Sequence, residues 1–459
     1  MTGRTKTVGV VARVFVLAAA LFAAGCSSKG GGPAATDDPN ALTFTDEERA
    51  TLSSLSPATL PSNPVDVTDR FGDVPAAAAL GKKLFADPSF SGVLWEGDND
   101  GSATALGKLG DTGKVACMGC HQPGAAFADD RSLGHSVSLA AGWTLRRSPS
   151  LYDVGQARLL MWDGRRDSLF SQVFGPIEAR NEMNSSRLFV AEQVFARYRG
   201  EFEAIFGPLP PLDDAKRFPV LTPATTGCQG AGTTPKECHG MPGDGAEYDG
   251  MTELDRDLVT GVVVDFGKAI AAYERTLHCG PGRFDAWVHG DTQALTLAEQ
   301  RGAKLFLGKG GCVGCHGGPF FSDQKFHDVG LHATLVATTV LDADDQGAAV
   351  GLAAAIADPL GSKGKWSDGD DGRLPASVDP SMLGALRTPM LRCVAMRPSF
   401  MHTGQLHTLE DVVDFFARGG DAHGFAGKSE LAPLALDDEE KRDLVSFLRS
   451  LDGATPTKE

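Results

Sequence analysis

Long apolar runs are scarce in this chain of 459 residues. After Cys26 no stretch is long and apolar enough to span a bilayer, which excludes a polytopic membrane protein. Convincing runs of alternating polar and apolar residues are also missing, which argues against an all-β fold. Basic residues are outnumbered: the formal net charge of −16 argues against a nucleic-acid partner and suits a basic or neutral partner, although solubility alone would also explain it.

Residues 1–26 have the pattern of a lipoprotein signal peptide with a lipobox. A positively charged start is followed by an apolar stretch, 14–24, that is too short to cross a bilayer. The stretch ends at Ala23-Ala24-Gly25-Cys26, where cleavage would leave Cys26 available for acylation. We therefore expect a periplasmic protein that is anchored by a lipid on Cys26. Residues 27–70, rich in Gly, Pro, Ser, Thr and Asp, are predicted to form a flexible tether.

Two phrases have the pattern of covalent attachment sites for c-type haem: Cys117-Met118-Gly119-Cys120-His121 and Cys312-Val313-Gly314-Cys315-His316. In each, two thiols lie on one side of a helical turn, where each can add to a haem vinyl group, and the following histidine can face the iron. A single copy would leave a zinc knuckle, a redox pair or a chance match open. Two copies in an exported chain predict two covalently bound haem c groups, with His121 and His316 as iron ligands.

A second repeat indicates that the two phrases lie in related units. The pattern Gly-x-x-Leu-Phe precedes each of them, at 81–85 and at 302–306. We therefore predict a mainly α, loop-rich fold with little strand and two cytochrome c-like haem domains. The first covers residues 71–284 and ends with an interdomain helix, and the second covers residues 285–459 and ends with a C-terminal helix.

Capping signals and apolar periodicity predict several helix boundaries. One helix begins at Ala76 and stops at Asp87-Pro88, and another is capped by Thr296 and Glu299. Further helices are expected at 408–418 and 437–451, the latter with Asp437 and Glu440 at its start.

From about residue 75 to residue 451 the chain resembles the bacterial di-haem cytochrome c peroxidases and the related di-haem enzymes that mature other proteins. The resemblance is carried by phrases that follow the family's order, among them Ser132-Leu133-Gly134-His135, Trp162-Asp163-Gly164-Arg165, Asn181-Glu182-Met183, Thr388-Pro389-Met390-Leu391-Arg392 and Phe400-Met401-His402-Thr403-Gly404. It implies that the first haem is peroxidatic and that the second is the higher-potential entry point for electrons.

The resemblance implies roles for four further residues of the first haem domain. His135 falls on the position of a removable distal iron ligand, although a histidine on such a loop is more often a surface residue. Glu182 falls on the acid-base carboxylate, Gln172 on a glutamine that lines the same cavity, and Trp162 on the tryptophan between the two haems. Ordinary core packing is the alternative for Trp162.

For the second iron, the resemblance makes Met401 the sixth ligand, a thioether that favours ferrous iron and raises the potential. Met390 and Met396 are competitors for this role, and any of the three could be core. The best-known maturation enzyme uses a tyrosine here. All four tyrosines of this chain precede the second haem phrase, so the matching region cannot supply that ligand; they are Tyr152, Tyr198, Tyr248 and Tyr273.

The chain departs from the family pattern in two ways. Many relatives bind calcium through an Arg-Asn-x-Pro phrase, but this chain has Arg146-Arg147-Ser148-Pro149, so a cationic side chain could replace the ion and calcium is doubtful. Cys279 and Cys393 replace small polar residues. We predict that they form a disulfide and that Cys228 and Cys238 close a short loop, with free buried thiols as the alternative for the first pair.

Together these features predict a di-haem c-type peroxidase that reduces hydrogen peroxide to water with electrons from a small donor protein, a c-type cytochrome or a cupredoxin. Two alternatives stay open. One is a maturation-type enzyme that oxidises residues of a partner protein, and the other is a non-catalytic di-haem electron-transfer cytochrome. The sequence leaves a homodimer open as well.

Overall fold

A computed structural model of the protein describes residues 42–132, 137–229, 237–243, 246–333 and 345–454. Short helices joined by long irregular segments make up most of this part of the chain. The α-helices are α1 (Asp46–Leu55), α2 (Pro75–Ala86), α3 (Cys117–Cys120), α4 (Leu169–Gln172), α5 (Phe174–Glu178), α6 (Arg187–Arg197), α7 (Arg199–Phe206), α8 (Glu253–Glu274), α9 (Arg283–Val288), α10 (Leu297–Leu307), α11 (Ala348–Ala357), α12 (Leu409–Ala417) and α13 (Asp438–Ser450).

Strand is confined to two antiparallel pairs of two residues each in the described part of the chain. Strand β1 (Gly227–Cys228) pairs with β2 (Cys238–His239), and β3 (Phe326–His327) pairs with β4 (Leu386–Arg387). The prediction of a mainly helical fold with little strand is confirmed. Residues Phe44–Glu459 form one compact unit, so the boundary between two haem domains at residue 284 stays a prediction.

The predicted helix ends agree with the structure to within a residue or two. Thr296 and Glu299 form a capping box at the start of α10, and Asp437 and Glu440 form one at the start of α13. In both, the side-chain oxygen of the N-cap residue accepts from a free backbone N–H of the first turn. The glutamate carboxylate in turn accepts from the backbone N–H of the N-cap residue.

The two Gly-x-x-Leu-Phe phrases lie at equivalent helix crossings. Helix α2 packs on α8 at Gly81, where a Cβ would overlap the carbonyl oxygen of Ala269. Helix α10 packs on α13 at Gly302, where a Cβ would overlap the carbonyl oxygen of Asp443. Only glycine permits backbones to approach this closely. The final phenylalanine of each phrase is buried, at 0% and 1% exposure (Phe85 and Phe306).

The segment before α2 is ordered, so the flexible-tether prediction is wrong for residues 42–70. Helix α1 begins with a capping box between Thr45 and Glu48, and it buries Leu52 and Leu55 at 5% and 0% exposure. Because the segment is polar on average, its composition hid this apolar pair; the capping box was the signal that could have revealed the helix. Residues 27–41 and the predicted signal peptide lie outside the described residues.

Both predicted disulfides are confirmed. Cys279 and Cys393 are bonded with their Cα atoms 5.9 Å apart and are 114 positions apart in sequence. Their bond ties the chain that follows α8 to the turn that leads towards Met401. Cys228 and Cys238 are bonded across the small sheet of β1 and β2. Among the described residues, no helix is both long and apolar enough to cross a membrane.

Candidate haem sites and the first cavity

The first haem phrase forms a single helical turn, α3, with its histidine directly after it. The backbone N–H of His121 donates to the carbonyl oxygen of Cys117 at 2.9 Å, and the thiols of Cys117 and Cys120 are not disulfide-bonded. The ring Nδ1 of His121 lies 2.9 Å from the carbonyl oxygen of Phe127. A bond from Nδ1–H to that carbonyl orients the ring and leaves Nε2 available to a metal.

The second phrase repeats this arrangement. A 3-10 turn covers Cys312–Gly314, and Nδ1 of His316 lies 2.9 Å from the carbonyl oxygen of Phe321. Burial lowers the pKa of both His121 and His316, against the opposing effect of these carbonyl contacts. Both imidazoles are therefore held in the neutral form that an iron ligand requires.

The environment of the cysteines argues against a thiolate site. Burial raises the pKa of Cys117 and Cys120 to about 12 and that of Cys312 to about 11. A redox-active pair would need the thiolate form. Within the described ranges, no group of three or more His, Cys, Asp or Glu side chains is arranged to hold a metal ion.

A cavity of about 690 Å³ lies beside the first phrase. This volume is within the usual range for a bound cofactor. The cavity brings together six residues that the sequence analysis singled out, namely Cys117, Cys120, His121, Trp162, Gln172 and Glu182. His135, the predicted distal ligand, lies outside the described residues.

Glu182 is delivered to the cavity by the loop after α5. Its backbone N–H donates to Ala179 at 2.9 Å, and its carbonyl accepts from Ala141 at 3.0 Å, so the loop is fixed on both sides. Burial raises the pKa of the Glu182 carboxyl, with Arg165 as the opposing charge. A carboxyl with a raised pKa can take up and return a proton nearer to neutral pH than an exposed one.

Gln172 stands at the end of α4 and also lines the cavity. Its side-chain amide donates to the sulfur of Met161 at 3.5 Å. This contact gives the glutamine a fixed partner inside the cavity.

Trp162 lies where the loop of residues 147–166 contacts the loop of residues 387–406. Its indole N–H donates to the carbonyl of Arg147 at 2.8 Å, and its own carbonyl accepts from the backbone of Arg387 at 2.8 Å. Reciprocally, the backbone N–H of Arg147 donates to His402 at 2.7 Å. The rings of Trp162 and His402 meet edge to face, with centroids 6.5 Å apart.

These loops belong to a repeat that the sequence analysis missed. Residues 147–166 align with 387–406 without a gap, and each segment contains a 3-10 turn and ends in an antiparallel bridge. Met161 and Met401 take the same place, with φ of 67° and 66°. The matching Ser148-Pro149 and Thr388-Pro389 pairs were the signal in the sequence. The approach of Met401 to His316 stays a prediction.

Glu274 is a cavity residue that received no role in the sequence analysis. It lies at the end of α8, lines the cavity, and is 5% exposed. Burial raises its pKa to about 8. The sequence feature that could have revealed it is an acidic residue at the end of the apolar run that covers most of α8.

Several known proteins are similar to this chain. A family model described as di-haem cytochrome c peroxidase matches residues 75–226. The methylamine utilization protein MauG of Methylorubrum extorquens is 30% identical over 379 residues, 82% of this chain and 78% of that protein. The cytochrome-c peroxidase IdrP1 of Denitromonas iodatirespirans is 28% identical over 418 residues, 88% of this chain and 87% of that protein.

A solved structure with the same fold is the diheme peroxidase BthA of Burkholderia thailandensis. It superposes with a TM-score of 0.59 at 24% identity, covering 88% of this chain and 98% of that chain. At this identity the likeness concerns the fold alone.

Proposed function

The chain belongs to the di-haem cytochrome c peroxidase family, whose members are oxidoreductases, and we propose that it reduces hydrogen peroxide to water with electrons from a small redox protein. The observation that carries this proposal is that Glu182 and His121 line one cavity. A buried carboxyl and a neutral imidazole are the protein groups that peroxide cleavage at a haem iron requires.

The residues at the first phrase fit a haem. Two protonated thiols lie on one helical turn, a neutral imidazole with its Nε2 available follows them, and the adjoining cavity has a suitable volume. Cys117 and Cys120 would hold the haem covalently and His121 would ligate its iron. When bound, the haem would supply an iron at which peroxide binds and the O–O bond is cleaved.

Glu182 acts as the acid-base group in this proposal. Its carboxylate would accept a proton from one oxygen of hydrogen peroxide and return it to the other, which leaves as water when the O–O bond breaks. Two electrons from the donor protein and two further protons would convert the remaining oxygen into a second water. The loop contacts to Ala179 and Ala141 hold the carboxyl in place, so little reorganisation is needed. Gln172 keeps a polar amide in the same cavity. We assign to His135 the role of a removable ligand, which would keep the first site inactive while it is bound.

The second site is the proposed entry point for electrons: Cys312 and Cys315 would hold a second haem covalently, and His316 and Met401 would ligate its iron. The thioether of Met401 favours the reduced iron, which suits an acceptor of electrons from a donor protein. Trp162 then lies on the route to the first site, because its carbonyl accepts from Arg387 of the second loop and its indole borders the first cavity.

The position expected for calcium does not fit a metal ion. Arg147 is 3% exposed, and its guanidinium donates to Ser132 and to the carbonyl of Val137, each at 3.1 Å, and to the carbonyl of Asp129. These three oxygen atoms therefore already contact a positively charged group. We propose that Arg147 replaces the ion and holds the loop that carries His135.

We place the protein in the periplasm, attached to the membrane through a lipid on Cys26, with a c-type cytochrome or a cupredoxin as its donor. A second candidate function is oxidation of residues of a partner protein, and it is kept because a relative at 30% identity is MauG. The position of Glu182 in the cavity favours an enzyme over a simple electron carrier.

Steady-state peroxide turnover by the holoprotein, with a reduced small cytochrome or cupredoxin as donor, tests the proposal. We expect turnover that increases after mild reduction of the protein. Turnover that stays at the background level with every donor, before and after reduction, would refute the peroxidase function and leave the protein-oxidising candidate.

A further inference from the structure

Two partly buried arginines, Arg387 and Arg397, lack an ion-pair partner among the described residues. The Nε atom of each is buried and has no hydrogen-bond partner in the described part of the chain. Other buried or partly buried arginines differ in this respect. Arg392 pairs with Asp285 at 2.9 Å, and Arg146 pairs with Asp163 at 2.6 Å.

The polar contacts of the two guanidiniums are to neutral groups. Arg387 donates to the side-chain oxygen of Gln324 at 3.4 Å, and Arg397 donates to the backbone carbonyls of Met390 and Arg392. Two carboxylates act on Arg397 electrostatically from beyond ion-pair distance, those of Asp153 and Asp452.

Burial without a partner disfavours the charged form, and it lowers the pKa of both arginines to about 10. At neutral pH both remain charged. An enclosed charge without a partner is strongly destabilising, and proteins normally pair it with an opposite charge. Two such charges in one region therefore indicate an anion that the chain itself does not supply.

The pair lies beside the second haem phrase. The charge of Arg397 acts on the imidazole of His316, and the charges of Arg397 and Arg387 act on each other. Gln324, the partner of Arg387, follows the second phrase in sequence. Arg387 also lines the first cavity, so this member of the pair lies on the side of the second site that faces the first.

We propose that Arg387 and Arg397 bind the propionate carboxylates of the second haem and thereby keep its reduction potential high. This inference rests on the proposed haem at His316. A guanidinium matches a carboxylate with two parallel hydrogen bonds, and two arginines balance the two negative charges of the propionates. With both balanced, the field at the iron no longer opposes the addition of an electron.

The test is a spectroelectrochemical titration of the holoprotein, which resolves the midpoint potential of each haem. In Arg397→Gln and in Arg387→Gln one propionate charge is left unbalanced. We expect the equilibrium constant for reduction of the second haem to fall about tenfold, equivalent to about 59 mV for one electron. Arg397→Lys keeps the charge and should shift less than Arg397→Gln.

Arg418→Gln is the matched control, because that arginine is 51% exposed and already pairs with Asp421 at 2.8 Å; no shift is expected. Unchanged potentials in both glutamine variants would overturn the proposal. A shift confined to the first haem would overturn it too, and would assign the pair to the propionates of that haem.

If a glutamine variant fails to fold, the contact is tested instead by the propionate bending modes in the resonance Raman spectrum of Arg397→Lys. A shift of these modes at the second haem supports the contact, and unchanged modes refute it. Neither measurement involves peroxide. The proposed role of Arg387 and Arg397 can therefore be refuted while peroxide turnover persists. It can also be supported if turnover is absent.

Discussion

Replacing Glu182 by glutamine separates its proton chemistry from its packing. The two side chains have nearly the same size, so Glu182→Gln should leave the cavity intact while removing the base. General acid-base catalysis contributes about 10² to 10⁴ in rate. We therefore expect cleavage of peroxide to slow by about 10²-fold or more, with both haems retained.

The pKa of Glu182 supplies a second signature. Because burial raises this pKa, the carboxylate that accepts the proton forms at a higher pH than an exposed glutamate would allow. The rate should rise with pH through this raised pKa in the parent protein, and that rise should vanish in Glu182→Gln.

Stability should change in the opposite direction from activity. A carboxyl whose folded-state pKa is raised binds its proton more tightly in the native state, so its favourable contribution is lost as pH rises through the folded pKa. At neutral pH, Glu182→Gln should be at least as stable as the parent. Denaturant unfolding measures this difference, and a large loss of stability would mean that the rate effect reports misfolding.

The rate is best measured by stopped-flow mixing of the reduced protein with peroxide. Glu201→Gln is the control, because that surface carboxylate is 53% exposed and pairs with Lys83; it should react at the parental rate. Parental kinetics in Glu182→Gln, or an equal loss in the control, would refute the acid-base role.

Three further predictions concern four of the cysteines and His135. Cys117→Ala combined with Cys120→Ala should remove only the first covalent haem, so that pyridine haemochrome analysis counts one haem instead of two; loss of both would point to a collapsed fold. His135→Gly should increase the high-spin signal of the ferric protein and abolish any lag before turnover, and an unchanged spin state would remove His135 from the ligands. Cys279→Ser with Cys393→Ser opens a loop with a sequence separation of 114, so the free energy of unfolding should fall by about 4 to 5 kcal/mol in a denaturant titration; a loss below about 1 kcal/mol would contradict the chain-entropy account.

Local signals predicted most of what is local in this structure. The helix caps at Thr296 and Asp437 involve residues three positions apart, and they appear as expected. The two haem phrases also fold as local turns, since the spacing of their cysteines and histidine decides which side chains share a side. Such features need no knowledge of the tertiary fold.

The cavity required more than local signals. Its walls come from distant segments, since His121, Glu182 and Glu274 follow three different helices or lie at their ends. No periodicity relates these residues, so the sequence alone gives no role to Glu274. The helix α1 was missed for another reason: one apolar pair, Leu52 and Leu55, sits in a polar segment whose average composition suggested a tether.

The repeat of residues 147–166 and 387–406 explains how the positions of the two proposed haem sites are fixed relative to each other. Each loop donates one backbone N–H to the carbonyl of the other, from Arg147 to His402 and from Arg387 to Trp162. Backbone bonds do not depend on side-chain identity, so the two loops can diverge in their side chains without losing this contact. The guanidinium of Arg387 can therefore serve the charge balance of the second site while its N–H fixes Trp162 beside the first. Arg387 thus connects the guanidinium proposed to set the potential of the second site to Trp162, the residue proposed to lie on the electron route to the first site.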